Sequence, residues 1–216
     1  MIVAVDGPSA SGKGTLARRL ALALGLAYLD TGQIYRAVAS RLLEAGGDPA
    51  DAAAAAAVAR TLTADDLTRP DLREEEVSQA ASIVAAIPEV REALLGFQRR
   101  FAEHPPEGAK GAVLDGRDIG TVVWPGAEAK LYVTATPDVR ARRRHEELIA
   151  RGSDSIYARV LEDMKERDRR DESRAVAPSR PAPDALVLDT SALDPDEVFE
   201  TALAYIRRRG GLRPPA

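Results

Sequence analysis

"VDGPSASGKGTLARRLA", residues 5–21, joins an apolar run, a loop with glycines at 7, 12 and 14, and a helical pattern. "MIVAVD" at 1–6 reads as a buried strand of β-branched residues. Beyond the loop, Leu16, Leu20 and Leu24 recur at helical spacing, with Gly25 placed to end the helix. In that context Gly7-x-x-x-x-Gly12-Lys13 is the arrangement of a phosphate-binding loop. Its glycines let successive backbone N–H groups face phosphate oxygens, the helix start adds partial positive charge, and Lys13 can reach the β and γ phosphates. Gly7, Pro8, Ser9, Ala10, Ser11, Gly12, Lys13, Gly14 and Thr15 are therefore the expected cradle for ATP. Gly14 stands where a serine or threonine usually follows the lysine, so either Thr15 takes the Mg²⁺ side or phosphates and water hold the metal.

Outward from this stretch, strands and helices alternate. "LAYLD" reads as a second strand, and "TGQIYRAVASRLLEAGG" as a helix capped by Thr31 and ended at Gly46-Gly47. A third helix is expected over 49–62, then a polar connection, "TADDLTRPDLREEE", turned at Pro70. "VSQAASIVAAI" and "PEVREALLGFQRRFA" are two helices divided at Pro88, which suits a first helical turn. "GAVLDGRDIG", "AKLYVTATP" and "DALVLDT" supply three more strands. "DVRARRRHEELIARG", "SIYARVLEDMKERDRRDESR" and "DPDEVFETALAYIRRR" supply helices. This order predicts an α/β fold with a parallel central sheet covered by helices, as a single domain over 1–216.

Composition narrows the chemistry. The 216 residues include no cysteine, which excludes disulfides, thiolate metal sites and thiol catalysis. A net charge of −4 gives the surface no general attraction for nucleic acid or anionic membranes, so neither is an expected partner and phosphate binding must be local. The opening residues carry no basic and apolar leader, and no uncharged apolar run has membrane-spanning length, which makes the cytoplasm the expected location. Of 30 basic residues only Lys13, Lys110, Lys130 and Lys165 are lysine, so Lys13 carries more weight than any single arginine. The absence of asparagine excludes the asparagine-lysine motif by which GTPases read guanine.

The form "GKGT" at 12–15 resembles that of nucleoside monophosphate kinases, and a kinase of this kind must also hold an acceptor phosphate in line with the γ-phosphate, which calls for arginines converging from several segments. Arg36 lies early on the helix after "YLDTG". "VLDGRDIGT" places Asp115, Arg117 and Asp118 at a strand's carboxyl end, where open parallel sheets bind ligands; Asp115 is also a candidate for organising Mg²⁺. In "KERDRRDESRAVAP", Arg167, Arg170, Asp171 and Arg174 fall at helical spacing on one face. The plain alternative there is an arginine-rich helix with internal ion pairs, Glu166 with Arg170 among them. At this level a kinase for AMP or UMP, or a nucleotide-dependent regulatory ATPase, stays open.

Taken in order, "DGPSASGKGTLA", "YLDTGQIYR", "VSQAASIVAAIPEVREALL", "LDGRDIGTVV" and "KERDRRDESRAVAP" resemble the bacterial cytidylate kinase family over most of the chain from Val5 to Pro178. The resemblance implies a three-layer P-loop kinase fold with a helical lid, and transfer of the γ-phosphoryl of ATP to CMP or dCMP with Mg²⁺, by a monomer. Lys13 and the loop would hold ATP, with Thr15 and Asp115 toward the metal. Arg36, Arg117 and Arg174 would hold the acceptor phosphate, with Lys13, Arg117, Arg170 and Arg174 catalytic. Ser82, Arg91 and Asp118 would read cytosine, Arg167 and Asp171 the sugar hydroxyls, and Thr31 would also contact the acceptor. The lid would span 140–174 and the acceptor-binding insert 63–104. Many members carry a small sheet-containing segment before the "AAS" helix, whereas 63–77 here is too short for several strands, so the insert is a reduced one.

Overall fold

A computed structural model describes residues 1–209. Five strands, β1 (Ile2–Asp6), β2 (Ala27–Asp30), β3 (Ala112–Gly116), β4 (Ala129–Thr134) and β5 (Leu186–Asp189), form one parallel sheet in the order β2-β3-β1-β4-β5. Every residue of β1 and β3 is buried, as expected of central strands in a parallel sheet covered by helices. In register, Ile2 pairs with Ala112 and Asp6 with Gly116 on one side; Val3 pairs with Ala129 on the other. The chain leaves β1 toward one side of the sheet and later returns to the other. The carboxyl end of β1 therefore sits at the switch point where such sheets open a crevice.

The chain divides into two compact units. Of the described residues, the first comprises Met1–Leu29 and 105–209. It contains α1 (Lys13–Leu24), α6 (Pro137–Ala150), α7 (Tyr157–Glu172) and α8 (Pro195–Arg209). Its core lies where Leu16 and Leu20 of α1 and Leu203 and Ile206 of α8 meet Val3, Val5, Leu131 and Val133. Each such side chain contributes roughly 1.5–3 kcal/mol on burial. A separate small cluster, Ala141, Leu148, Val160 and Met164, holds α6 against α7.

The second unit, Asp30–His104, is helical: α2 (Thr31–Glu44), α3 (Ala52–Arg60), α4 (Glu75–Val84) and α5 (Pro88–Glu103). Within it α2 packs on α4 and α3 on α5. Pro88 opens α5 at the first helical position.

Three local expectations need correction. Asp30, not Thr31, caps α2: its side chain accepts the Gln33 N–H at 3.2 Å, and Thr31 is the buried first residue of the helix. The third helix starts at Ala52, because Asp51 accepts the N–H groups of Ala53 and Ala54 and so fixes the start. α7 ends at Glu172, so Arg174 lies past the cap rather than on the shared helix face. The stretch 63–77 holds two short 3-10 turns, Asp65–Thr68 and Pro70–Arg73, and no strand.

Candidate functional site

The loop that leaves β1 is shaped by what its glycines lack. A Cβ on Gly7 would lie 2.0 Å from the Val133 carbonyl oxygen of β4, so any larger residue would push the loop off the sheet. Gly12, at φ +89°, is the N-cap of α1 and makes no side-chain cap bond, which leaves the helix start to a ligand. Gly14 has a local reason for replacing the usual hydroxyl residue: a Cβ there would approach Asp115 Oδ2 to 3.0 Å.

Lys13 extends back over the loop, its Nζ donating to the Pro8 carbonyl at 3.4 Å and lying 3.8 Å from Asp115 Oδ1. Tyr28 donates its hydroxyl to the other Asp115 oxygen at 3.3 Å. Asp115, near the end of β3, is thus buried against the helix start that carries Lys13. Thr15 is exposed on the first turn of α1.

Arg117 and Asp118 follow β3. Arg117 Nε donates to Asp171 Oδ2 at 3.0 Å, and Arg174 donates to the other oxygen of the same carboxylate. Burial would raise the Asp171 pKa, but the guanidiniums of Arg117, Arg174 and Arg167 outweigh it and hold the carboxyl below its ordinary value. Burial likewise would lower the Arg117 pKa, and the charges of Asp171 and Asp115 reverse that. Arg117, Arg174 and Arg167 thus converge on the Asp171 carboxylate, with Asp115 and Asp168 also acting on Arg117. Arg170 pairs with Glu166 at 2.8 Å, as the spacing predicts.

Asp118 is buried, and its carbonyl accepts the Val122 N–H at 2.8 Å, at the start of a π-helical turn, Ile119–Val123. That turn is held from below by Asp6, whose two oxygens accept the N–H groups of Ile119 and Gly120, each at 2.8 Å. Burial pushes the Asp6 carboxyl up to about 7, against the pull of those two amides and with help from Asp118 and Asp115.

The remaining sequence-predicted residues lie in the helical unit. Arg36 pairs with Asp30 at 2.9 Å. Ser82 on α4 is buried. Arg91 on α5, also buried, donates to the Ala85 carbonyl at 3.1 Å and lies 5.6 Å from the centre of the Tyr35 ring.

Beside the loop, a cavity of about 300 Å³ is lined by Gly12, Thr15, Arg143, Thr190, Leu193 and Pro195, among others. Arg143 Nη1 donates to Thr190 Oγ1 at 2.9 Å. Arg143 and Thr190 line this cavity, while Asp6, Tyr28 and Arg140 bond to the turn after β3, to Asp115 and to the loop, in that order; sequence reasoning gives none of the five a site role. Thr190 follows the carboxyl end of β5, so the positional rule that points to Asp115 could have found it. The arginines could not be found that way in a chain so rich in them.

The family model for cytidylate kinase matches residues 3–208. A cytidylate kinase of Paramagnetospirillum magneticum is 63% identical over 205 residues, covering 95% of this chain and 97% of the relative. One from Rhodospirillum rubrum is 58% identical over 209 residues, covering 97% and 98%. In fold, the chain resembles the crystal structure of an uncharacterized protein from Eubacterium ventriosum, with TM-score 0.52 at 15% identity, covering 95% of this chain and 98% of that one.

Proposed function

This chain belongs to the cytidylate kinase family, and from that premise we propose that it transfers the γ-phosphoryl group of ATP to CMP or dCMP, releasing ADP and CDP or dCDP. The family match over residues 3–208 carries the reading. The loop amides from Gly7 to Thr15 and the Lys13 ammonium hold the phosphates of ATP, and the neighbouring cavity receives its nucleoside. The acceptor phosphate is held by Arg36, Arg117 and Arg174, so that its oxygen attacks the γ-phosphorus in line as ADP leaves. Arg170 adds charge at the transferring group. Arg167 and Asp171 hold the sugar, and Thr31 contacts the acceptor from the start of α2. The region 63–104 forms the acceptor-binding part and 140–174 the lid. The enzyme acts as a monomer in the cytoplasm; no described helix is long and apolar enough to cross a membrane.

Mg²⁺ fits the oxygen donors on this side of the loop. Thr15 offers an exposed hydroxyl, and Gly14 keeps space open beside the Asp115 carboxylate. No group of three or more histidine, cysteine or carboxylate ligands occurs among the described residues; Thr15 and Asp115 would hold the ion together with ATP oxygens and water. When bound, the ion neutralises charge on the β and γ phosphates.

Ser82, Arg91 and Asp118 read the base. Cytosine presents an amino donor where uracil presents a carbonyl, so the Asp118 carboxylate favours the first and repels the second. ADP release measured over CMP, dCMP, UMP and AMP is expected to give the cytidine nucleotides the highest kcat/KM. Asp118→Asn is expected to cost CMP about 1–3 kcal/mol in kcat/KM and to raise the UMP to CMP ratio. AMP or UMP as the preferred acceptor of the parent would overturn the reading. A ratio unmoved in the variant would remove Asp118 from base recognition.

A further inference from the structure

We propose that Arg140 and Thr190 are positioning residues for the phosphate loop: gripping the Ser9 and Ser11 carbonyls from outside, they preset the Ala10 and Gly12 amides to receive phosphate. The inference rests on the kinase reading of that loop. A trans peptide is planar, with its N–H pointing opposite to its C=O. Arg140 Nη1 donates to the Ser9 carbonyl at 3.2 Å, so the Ala10 N–H of the same peptide faces away from Arg140. The single Thr190 hydroxyl proton has two acceptors in reach, the Ser11 carbonyl at 2.9 Å and the Thr134 carbonyl at 3.2 Å; the nearer is Ser11, so the Gly12 N–H faces away from Thr190.

Ala10 shows that the loop needs such a hold. Its φ is +56°, a left-handed backbone that costs a non-glycine residue roughly 1–2 kcal/mol. Both grips are themselves anchored. Arg140 is 3% exposed; its Nε donates to the Ala135 carbonyl just beyond β4 at 3.0 Å, and its two terminal nitrogens engage both oxygens of Asp168 on α7. Thr190 is equally buried; its N–H donates to the Thr134 carbonyl at 2.8 Å, and its hydroxyl oxygen accepts from Arg143. A loop fastened in this way to β4, α6 and α7 meets phosphate with its amides already turned, so binding is not charged for turning them.

Two conservative variants test this. Thr190→Val removes the hydroxyl and keeps the shape. Arg140→Lys keeps a positive charge toward Asp168 but loses the planar fork that reaches three acceptor groups together. Affinities for ADP and for adenosine are measured by calorimetry and NMR titration, well below each melting temperature. Each variant is expected to bind ADP about 3- to 10-fold more weakly, the worth of one lost grip; adenosine affinity is expected to stay unchanged in Arg140→Lys, which does not line the nucleoside cavity, and to fall by less than ADP affinity in Thr190→Val, which does. Unchanged ADP affinity in the folded variants would overturn the proposal. So would an equal loss for adenosine, which marks general damage or direct contact with the nucleoside. If one variant fails to fold, the other decides. A parent chain that binds no ADP would overturn the kinase reading itself, and the loop's role with it.

Discussion

Asp6 is a buried carboxyl gripped by two backbone amides, and folding changes its proton affinity from an ordinary 3.8 to about 7. The folded chain therefore holds this proton more tightly than the unfolded chain. The stability the group contributes is fully present below the unfolded value and is lost as pH rises through about 7. Asp6→Asn keeps an acceptor for one amide and carries no titrating proton. It is expected to flatten the decline of melting temperature that the parent shows between the two values. Thermal melts across that range check it, and parallel curves for parent and variant would contradict it. Asp171 has the opposite sign: its arginines stabilise the charged form, and that contribution is lost only as pH falls below the ordinary carboxylate value. The place of Lys13 at the start of α1, after a glycine loop, is legible in the sequence because its neighbours define that turn and lysine is rare here. Asp6 is not legible, because its partners lie more than 110 positions away along the chain and its environment exists only once β1 and β3 pair.

At the level of elements, the period of apolar residues marks the strands and helices, including the break at Pro88 between α4 and α5. The π-helical turn after Asp118 escapes such reading. Five residues are too few to show a period, and the turn is specified by Asp6 rather than by its own side chains. The end of α7 is also illegible in detail, since spacing alone continues through Arg174 whereas the helix stops at Glu172. The apolar part of the pairing of α6 with α7 has only four fully buried residues, beside the Arg140–Asp168 ion pair, and is separate from the cluster beneath α1 and α8. So small a core predicts opening at lower free energy than the sheet. The same helices carry arginines that phosphate would neutralise, which is the basis for reading 140–174 as a lid. An analogue that joins adenosine to cytidine through phosphates is expected to raise hydrogen-exchange protection of α6 and α7 strongly. If protection rises at the phosphate loop and not in these helices, they are a solvated charged surface and not a lid.

On the scale of the whole molecule, the sheet-containing unit supplies the phosphate loop, the Asp115 to Asp118 segment and the arginines around Asp171. The helical unit supplies Arg36, Ser82 and Arg91. A transfer between two nucleotides, the proposed activity, needs both a donor and an acceptor. ATP carrying a radioactive γ-phosphate, incubated with the chain and CMP and resolved by chromatography, follows the transferred group directly. The predicted result is label in CDP in step with ADP formation, and almost none in inorganic phosphate when CMP is withheld. Label released as inorganic phosphate at the same rate with and without CMP would contradict it.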